Sequence, residues 1–188
     1  MSDYTLATIS MTLDKRSITR AIEEVRRVER RLRAAMNEFC EVLLEEGVSM
    51  ARIEVIALGA IDTGGLLASI GHGAYDPATH TGVIYAGAYY AFFVEYGTGI
   101  VGAENPHPAP ESAGTGSGGN LLAMTYGGYD SGGHGQEGWI YRSDVDGKLH
   151  WTRGMKSRPF MYNTMKYLKD YAEREGGRTI ASFTIGGG

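Results

Sequence analysis

The first third of the chain carries a long stripe of apolar positions with helical spacing. Apolar side chains recur there every three or four residues, with charged side chains between them. The positions are Ile18, Ile22, Val25, Val28, Leu32, Met36, Phe39 and Leu43. Gly47 interrupts the stripe, but the period resumes at Met50 and runs to Ala57, so we expect a kink rather than a stop. Asp14 or Ser17 can cap the start, because a short side-chain oxygen accepts from an unpaired N–H of the first turn. The pattern predicts a helical region of about 40 residues, roughly 60 Å long.

Short strands and a turn are predicted in the middle of the chain. Residues 83–88 have the composition of a strand, residues 71–75 are its expected antiparallel partner, and the sequence DPATHTG at 76–82 is typical of the turn between them. Residues 89–96 are apolar except for Glu95, and we assign them to a short helix.

Strands are also expected at both ends of the chain, with a helix before the second. Residues 6–13 alternate near their end with a period of two, which predicts a strand. Pro159 suits the first position of a helix, and an apolar stripe with helical spacing follows it. Gly176 and Gly177 are expected to end that helix. Residues 179–185 are then expected to form an edge strand.

A glycine-rich segment and a hairpin lie before this second helix. Residues 99–138 show little hydrophobic periodicity and are predicted to be a loop. The segments 139–141 and 149–151 flank Asp146 and Gly147, which indicates a β-hairpin with a type I′ turn.

The predicted fold is α+β. We expect a small antiparallel sheet packed by a long N-terminal helix and a shorter C-terminal helix, with a long Gly-rich loop and hairpin insertion at approximately 100–152. Residues 1–188 are expected to form a single domain, which their number allows. Because the first helix is too long for a small domain to cover alone, its stripe is expected to contact neighbouring subunits as well as its own sheet.

Composition and charge narrow the class of protein. The chain has 188 residues with 28 glycines, about 15% against a usual share of roughly 7%. No lysine or arginine lies between Arg52 and Arg142, whereas eight acidic residues do; residues 142–188 carry nine basic and five acidic residues.

The single cysteine, Cys40, excludes an intramolecular disulfide framework. No signal peptide and no apolar run of about 20 residues is recognised, so we expect a soluble intracellular protein. A pI near 5.7 argues against a general nucleic-acid binder.

Two short motifs resemble enzyme signatures. Asp62, Thr63 and Gly64 match the triplet of aspartic proteases, in which two such carboxylates share a proton. A long predicted helix precedes this triplet, which favours a helix cap by Asp62 or Thr63; an aspartic-type hydrolase using Asp62 stays an alternative.

Gly97, Gly99 and Gly102 spell the dinucleotide pattern G-x-G-x-x-G, which requires a helix to begin at the motif. Three prolines follow and no basic residue lies nearby, so we predict no cofactor and no catalytic site.

The histidines, Cys40 and an arginine-rich segment are the remaining candidates for metal, reactive or nucleic-acid sites. The five histidines show no close pairing typical of a metal site; His134, near Asp130 and Glu137, is expected in a solvated loop. Cys40 is expected to pack as a small side chain. The arginines of residues 26–33 alternate with glutamates at helical pair spacing, which predicts a solvated, salt-bridged face.

Three segments in order resemble a known family. They are IDTGGLLASI at 61–70, YAFFVEYGTG at 90–99 and SRPFM at 157–161, behind a long helix. This arrangement resembles the tail-component (tail-completion, head–tail joining) family of long-tailed double-stranded DNA bacteriophages and their prophages. The motif residues are Asp62, Thr63, Gly64, Ser69, Glu95, Gly97, Thr98, Gly99, Arg158, Pro159 and Phe160. The sequence departs from the family pattern in Gly65, where arginine is frequent, and in its long insertion.

The resemblance implies a non-enzymatic structural virion protein at the neck or head-proximal end of the tail. It implies a ring of copies, a hexamer by family analogy, around the channel through which DNA passes without specific binding. Neighbouring neck, connector, tail-tube or tail-terminator proteins would be its other partners, with no membrane. Assembly would occur in the bacterial host cytoplasm. A monomeric assembly adaptor of the tail stays an alternative.

The charge pattern suits this implied role. An acidic middle and a basic end suit contacts between two different surfaces of neighbouring copies. An acidic surface would also avoid retaining DNA, because cationic surfaces bind phosphate. Glu95 is the single charge of an apolar run, so a buried or interfacial partner is expected, and Arg158 is our candidate for it.

Overall fold

In the part of the chain that the structure describes, two long helices flank a series of short strands and short helices. We describe residues 14–109, 138–143 and 145–185 of a computed structural model. The elements in order are α1 (Lys15–Ala57), α2 (Gly65–Ser69), β1 (Ile70–His72), β2 (Ile84–Ala86), α3 (Ala91–Tyr96), α4 (Gly99–Glu104), β3 (Trp139–Arg142), β4 (Leu149–Thr152), β5 (Gly154–Met155) and α5 (Phe160–Ile185). The predicted α+β class is confirmed, with two separate two-stranded antiparallel sheets where one small sheet was expected.

Helix α1 follows its apolar stripe through 43 residues without a break at Gly47. Asp14 is its cap: Oδ1 accepts from the backbone N–H groups of Arg16 at 2.9 Å and Ser17 at 3.0 Å. Two ion pairs lie on the predicted salt-bridged face. Arg27 pairs with Glu24 at i,i+3 spacing, and Arg33 pairs with Glu29 at i,i+4 spacing.

The first sheet pairs β1 with β2. Gly73 donates its N–H to the Val83 carbonyl at 2.8 Å and Gly87 to the Ser69 carbonyl at 3.0 Å, an antiparallel register. The turn between the strands is the predicted one: Asp76 accepts from the Ala78 N–H at 2.8 Å and from the Thr79 hydroxyl at 2.8 Å.

The second sheet is the predicted hairpin, β3 with β4, but its turn differs from the prediction. The ladder joins Arg142 to Leu149, and Ser143 donates to the Lys148 carbonyl at 2.9 Å, so the connection is longer than the two residues of a type I′ turn. Gly147 has a positive φ of 68°, and Asp146 accepts from the Lys148 N–H at 3.1 Å. The Asp146 carboxylate thus stabilises the longer loop by accepting one of its backbone N–H groups.

Helix α5 is longer than predicted. It passes through Gly176 and Gly177 and includes residues 179–185, so both the predicted stop and the predicted edge strand are wrong. The i,i+3 ion pair of Glu175 with Arg178, at 2.7 Å, spans the two glycines and supports the helix there. A Cβ placed on Gly176 would lie 3.4 Å from the Phe39 ring, so the glycine lets that ring approach the helix axis.

The described residues belong to two compact units, drawn from 1–47, 72–83 and 166–188 in one and from 48–71 and 84–165 in the other. In the first unit, the Gly82 backbone lies against the buried side chain of Leu44. The second unit contains a continuous apolar core. Its buried members are Val48, Ala51, Val55, Leu66, Ile70, Ala91, Val94 and Phe160.

Some of the predictions concern residues outside the described ranges. These are the strand at 6–13, most of the glycine-rich insertion and the region of His134. One part of the predicted loop at 99–138 is described, and there the prediction is wrong, because α4 occupies its first six residues. The short helix expected within 89–96 is confirmed as α3.

Candidate functional site

Glu95 lies on α3 with its carboxylate buried against the start of α5. The residue is 6% exposed. Oε2 accepts the backbone N–H of Met161 at 2.9 Å, and Oε1 accepts that of Tyr162 at 3.0 Å. The first N–H groups of a helix have no partner within it, and they carry partial positive charge. Glu95 therefore caps α5 from 66 residues away in the sequence.

His107 completes the hydrogen bonding of this carboxylate. Its side chain is 1% exposed, and Nε2 lies 3.1 Å from Glu95 Oε1. The other ring nitrogen, Nδ1, accepts the backbone N–H of Ala109 at 3.0 Å, so it carries no proton. The network assigns the proton to Nε2, which donates to Glu95. The pair then holds a carboxylate with three donors beside a neutral imidazole.

Aromatic rings enclose the imidazole. The His107 ring centroid lies 4.4 Å from that of Tyr96 and 5.3 Å from that of Tyr162. Tyr96 belongs to α3 and Tyr162 to α5, so the histidine fills the space between the two helices that Glu95 joins. This packing excludes water from the carboxylate, which strengthens its hydrogen bonds.

Arg158 does not pair with Glu95, and that prediction is wrong. The Arg158 backbone N–H donates to the Val94 carbonyl at 2.9 Å, while Nη1 of its guanidinium lies 3.7 Å from the Met155 sulfur. Its Nε is buried without a hydrogen-bond partner among the described residues. The helix start and His107 already supply the donors that the carboxylate accepts, so the arginine contributes its backbone to the junction instead.

Ser157 adds a second connection between α3 and the segment before α5. Its hydroxyl donates to the Glu95 carbonyl oxygen at 2.6 Å, and its N–H donates to the Asn105 carbonyl at 3.2 Å. Together with the bonds to Arg158, Met161 and Tyr162, this means that α3 accepts hydrogen bonds from four residues before and at the start of α5.

The glycines of the second motif allow close chain approach. A Cβ on Gly97 would lie 2.7 Å from the Ser157 nitrogen, and one on Gly99 would lie 2.5 Å from the Arg153 carbonyl oxygen. Both have positive φ, 79° and 61°. Thr98 pairs with Met155 in an antiparallel bridge, and its hydroxyl accepts the Met155 N–H at 3.1 Å. A helix does begin at Gly99, contrary to the sequence prediction, but the backbone of residues 153–157 fills the space beside the glycines.

The first motif supplies packing rather than a side-chain cap. Helix α2 has Gly64 at its N-cap with φ of 84° and no side-chain cap hydrogen bond. The predicted cap by Asp62 or Thr63 is therefore wrong, and both residues are exposed. The left-handed conformation that Gly64 adopts turns the chain into the helix without help from a side chain. Ser69 donates its hydroxyl to the Leu66 carbonyl at 2.8 Å.

Phe160 connects the third motif to the other two. It is 1% exposed and belongs to the same buried core as Leu66 of the first motif and Val94 of the second. Pro159 precedes the helix by one residue, and its carbonyl accepts the Asn163 N–H at 3.0 Å. The three segments that carry the family resemblance thus meet in one packed junction.

His107 is the residue of this junction that sequence reasoning missed. It lies 12 residues after Glu95, between Pro106 and Pro108, in a segment without regular periodicity. The one available signal was the unpaired charge of Glu95 followed by a histidine that two prolines hold in place. That spacing predicts no geometry, because a loop of this length can bring its ends together in many ways.

In the part of the chain that the structure describes, no group of three or more histidine, cysteine or acidic side chains is arranged to hold a metal ion. No described helix combines the length and the apolar character needed to cross a membrane. Comparisons with protein-family models, curated proteins and solved structures find no match to this chain.

Proposed function

We propose that this protein is a structural virion protein of a tailed phage or prophage. In this role it joins or completes the head-proximal end of the tail as part of a ring around the DNA channel. Its neighbours are copies of itself and the adjoining neck, connector or tail proteins. The proposal originates in the resemblance of the three motifs, and it assigns no catalytic role.

The observation that carries the proposal is what the motif residues do. Glu95 is the buried carboxylate among the motif residues. Two helix N–H groups and His107 bind this carboxylate. Phe160 is in the core, and Gly97 and Gly99 bring chain segments together. Residues used in this way build a rigid junction, which suits a part that must transmit load between two assemblies.

A deletion experiment tests the proposal. Removal of the gene from the phage or prophage that encodes it should leave filled heads and separate tails, seen by electron microscopy of the lysate. Wild-type protein supplied from a plasmid should restore joined particles and be found in them by mass spectrometry. Asp62→Asn is the control, since the proposal gives that carboxylate no chemical task. Normal particles without the protein would refute the proposal.

The number of copies of the chain in finished particles distinguishes the ring from the adaptor alternative. Native mass spectrometry of joined necks released from particles should show multiple copies of the chain in one closed complex. A protein needed for joining but missing from finished particles would instead be an assembly adaptor.

A further inference from the structure

One face of the β3–β4 hairpin is apolar and exposed. The register places Ile140 opposite Trp151 and Arg142 opposite Leu149, so these four side chains share a face. Ile140 is 62% exposed, Leu149 72% and Trp151 61%. Single exposed apolar residues are ordinary, but a contiguous group marks an interaction surface. Tryptophan and arginine are also among the residues that most often supply binding energy at protein interfaces. We call these four residues the hairpin face.

The surroundings of the hairpin face are basic. Residues 138–156 contain four basic and two acidic residues. The basic ones are Arg142, Lys148, Arg153 and Lys156, all exposed, and none forms an ion pair within the described ranges. A partner for this face therefore has an apolar contact and an excess of negative charge.

The chain itself presents a surface of that kind on α1. Between Arg33 and Arg52, α1 carries four glutamates and no basic residue. Glu38, Glu41 and Glu45 follow at helical spacing on one face, with Val42 beside them at 39% exposure. The three glutamates are exposed and have no ion-pair partner among the residues described. We call Glu38, Glu41, Val42 and Glu45 the acidic stripe.

We propose that the hairpin face of one copy docks on the acidic stripe of the next copy. Trp151, Leu149 and Ile140 contact Val42 and the methylene groups of the glutamates, and Arg142 pairs with their carboxylates. The two surfaces differ, so the contact is heterologous, and a pair of copies keeps one unused hairpin face and one unused acidic stripe. Such a contact repeats from copy to copy until the ring closes. This inference rests on the proposed function and names the surfaces through which the copies of that ring meet.

Two half-defective variants test this contact. The hairpin variant is Leu149→Gln with Trp151→Gln, and the stripe variant is Glu41→Lys with Glu45→Lys. Wild-type protein should form oligomers by native mass spectrometry, while each variant alone should show the 20.3 kDa mass of one chain. Mixed together, the variants should form a 1:1 dimer that cannot grow, because only one intact surface of each kind is present. A contact between identical surfaces would not give this result.

Matched controls separate the contact from folding and general charge. Met165→Gln changes an apolar residue of similar exposure, 60%, and Glu23→Lys with Glu173→Lys makes the same charge change elsewhere. Both should assemble as the wild type does. All variants should keep the wild-type circular dichroism spectrum, since every changed side chain is exposed.

Each other outcome overturns the inference. Oligomers that persist in both variants, a mixture that stays monomeric, or a wild-type protein that is monomeric at every attainable concentration would do so. Loss of head–tail joining by the hairpin variant with an unchanged oligomer would assign the hairpin face to another virion protein. The proposed function fails separately, through the deletion experiment, so the two failures are distinguishable.

Discussion

The imidazole of His107 donates from Nε2 to Oε1 of Glu95 across 3.1 Å, inside a cluster that also caps the last helix. This bond joins a loop residue to α3, while the same carboxylate joins α3 to α5. The side chains of both residues are almost fully buried, at 1% and 8% exposure, so their polar atoms depend on one another for hydrogen bonding.

Replacement of Glu95 is expected to be strongly destabilising. Glu95→Ala leaves the N–H groups of Met161 and Tyr162 and the His107 Nε2–H without acceptors in a buried site. The cost of such unpaired groups is about 2–4 kcal/mol in the free energy of unfolding. Glu95→Gln keeps the shape but places an amide NH₂ among donors, so it should lose about 1–3 kcal/mol. Urea unfolding measures both values.

An exposed glutamate provides the control for Glu95. Glu104→Gln makes the same chemical change at an exposed position and should stay within about 0.5 kcal/mol of the wild type. If Glu95→Gln were equally neutral, the carboxylate would not be holding α5 in the manner described.

Gly97 and Gly59 make a matched pair for testing close chain approach. Both have positive φ, 79° and 63°, so alanine at either position costs about 1 kcal/mol of backbone strain. A Cβ on Gly59 would have nothing within 4 Å, whereas one on Gly97 would meet the Ser157 nitrogen at 2.7 Å. We expect Gly97→Ala to lose at least about 2 kcal/mol more than Gly59→Ala. Equal losses in thermal or urea unfolding would contradict the packing of residues 155–157 on this motif.

The carboxyl of Asp76 should respond to loss of one hydroxyl. The hydrogen bond from Thr79 is the main cause that lowers the pKa of Asp76 below its ordinary value, followed by the Ala78 N–H. A pKa lower in the folded than in the unfolded chain means that the turn is stabilised above the ordinary aspartate pKa. That contribution is lost as the pH falls through the lowered value. Thr79→Val should therefore raise the pKa of Asp76 toward the ordinary one.

Carbon-detected NMR titration of the side-chain carboxyls measures this change. Asp146 is an internal reference, because its pKa is lowered chiefly by the Lys148 N–H, which Thr79→Val does not touch. An Asp76 pKa that stays in place in the variant would assign the shift to the backbone donors alone.

Local sequence patterns correctly predicted the elements that are stabilised by interactions between residues close together in the chain. The stripe of α1, the Asp14 cap, the Asp76 turn and the β3–β4 hairpin all follow from residues close together in the chain. The junction was only half predictable. A buried partner for Glu95 was expected from its apolar surroundings, but the choice of His107 over Arg158 depends on how a proline-flanked loop folds back.

The helix termini were also only partly predictable from the sequence, because tertiary contacts determine them. Gly64 rather than Asp62 is the N-cap residue of α2, and α5 takes its cap from Glu95 in a distant segment. A short polar residue before a helical pattern indicates a cap only when the backbone conformation places its side chain over the first turn. Tertiary contacts set that conformation here.

Helix α5 continues through two adjacent glycines, Gly176 and Gly177. Gly177 lies inside the helix, and a Cβ added to it would have nothing within 4 Å, so a methyl group there meets no neighbour. Alanine in a helix interior is favoured over glycine by about 0.8–1 kcal/mol. We therefore expect Gly177→Ala to raise the free energy of unfolding by about 0.5–1 kcal/mol and to leave the helical circular dichroism signal unchanged or slightly higher. Gly59→Ala, at a positive φ, should instead lower stability, so the two substitutions should differ in sign. A loss of stability in Gly177→Ala would mean that the glycine ends the helix in a left-handed conformation, and that α5 is a shorter helix followed by a separate segment.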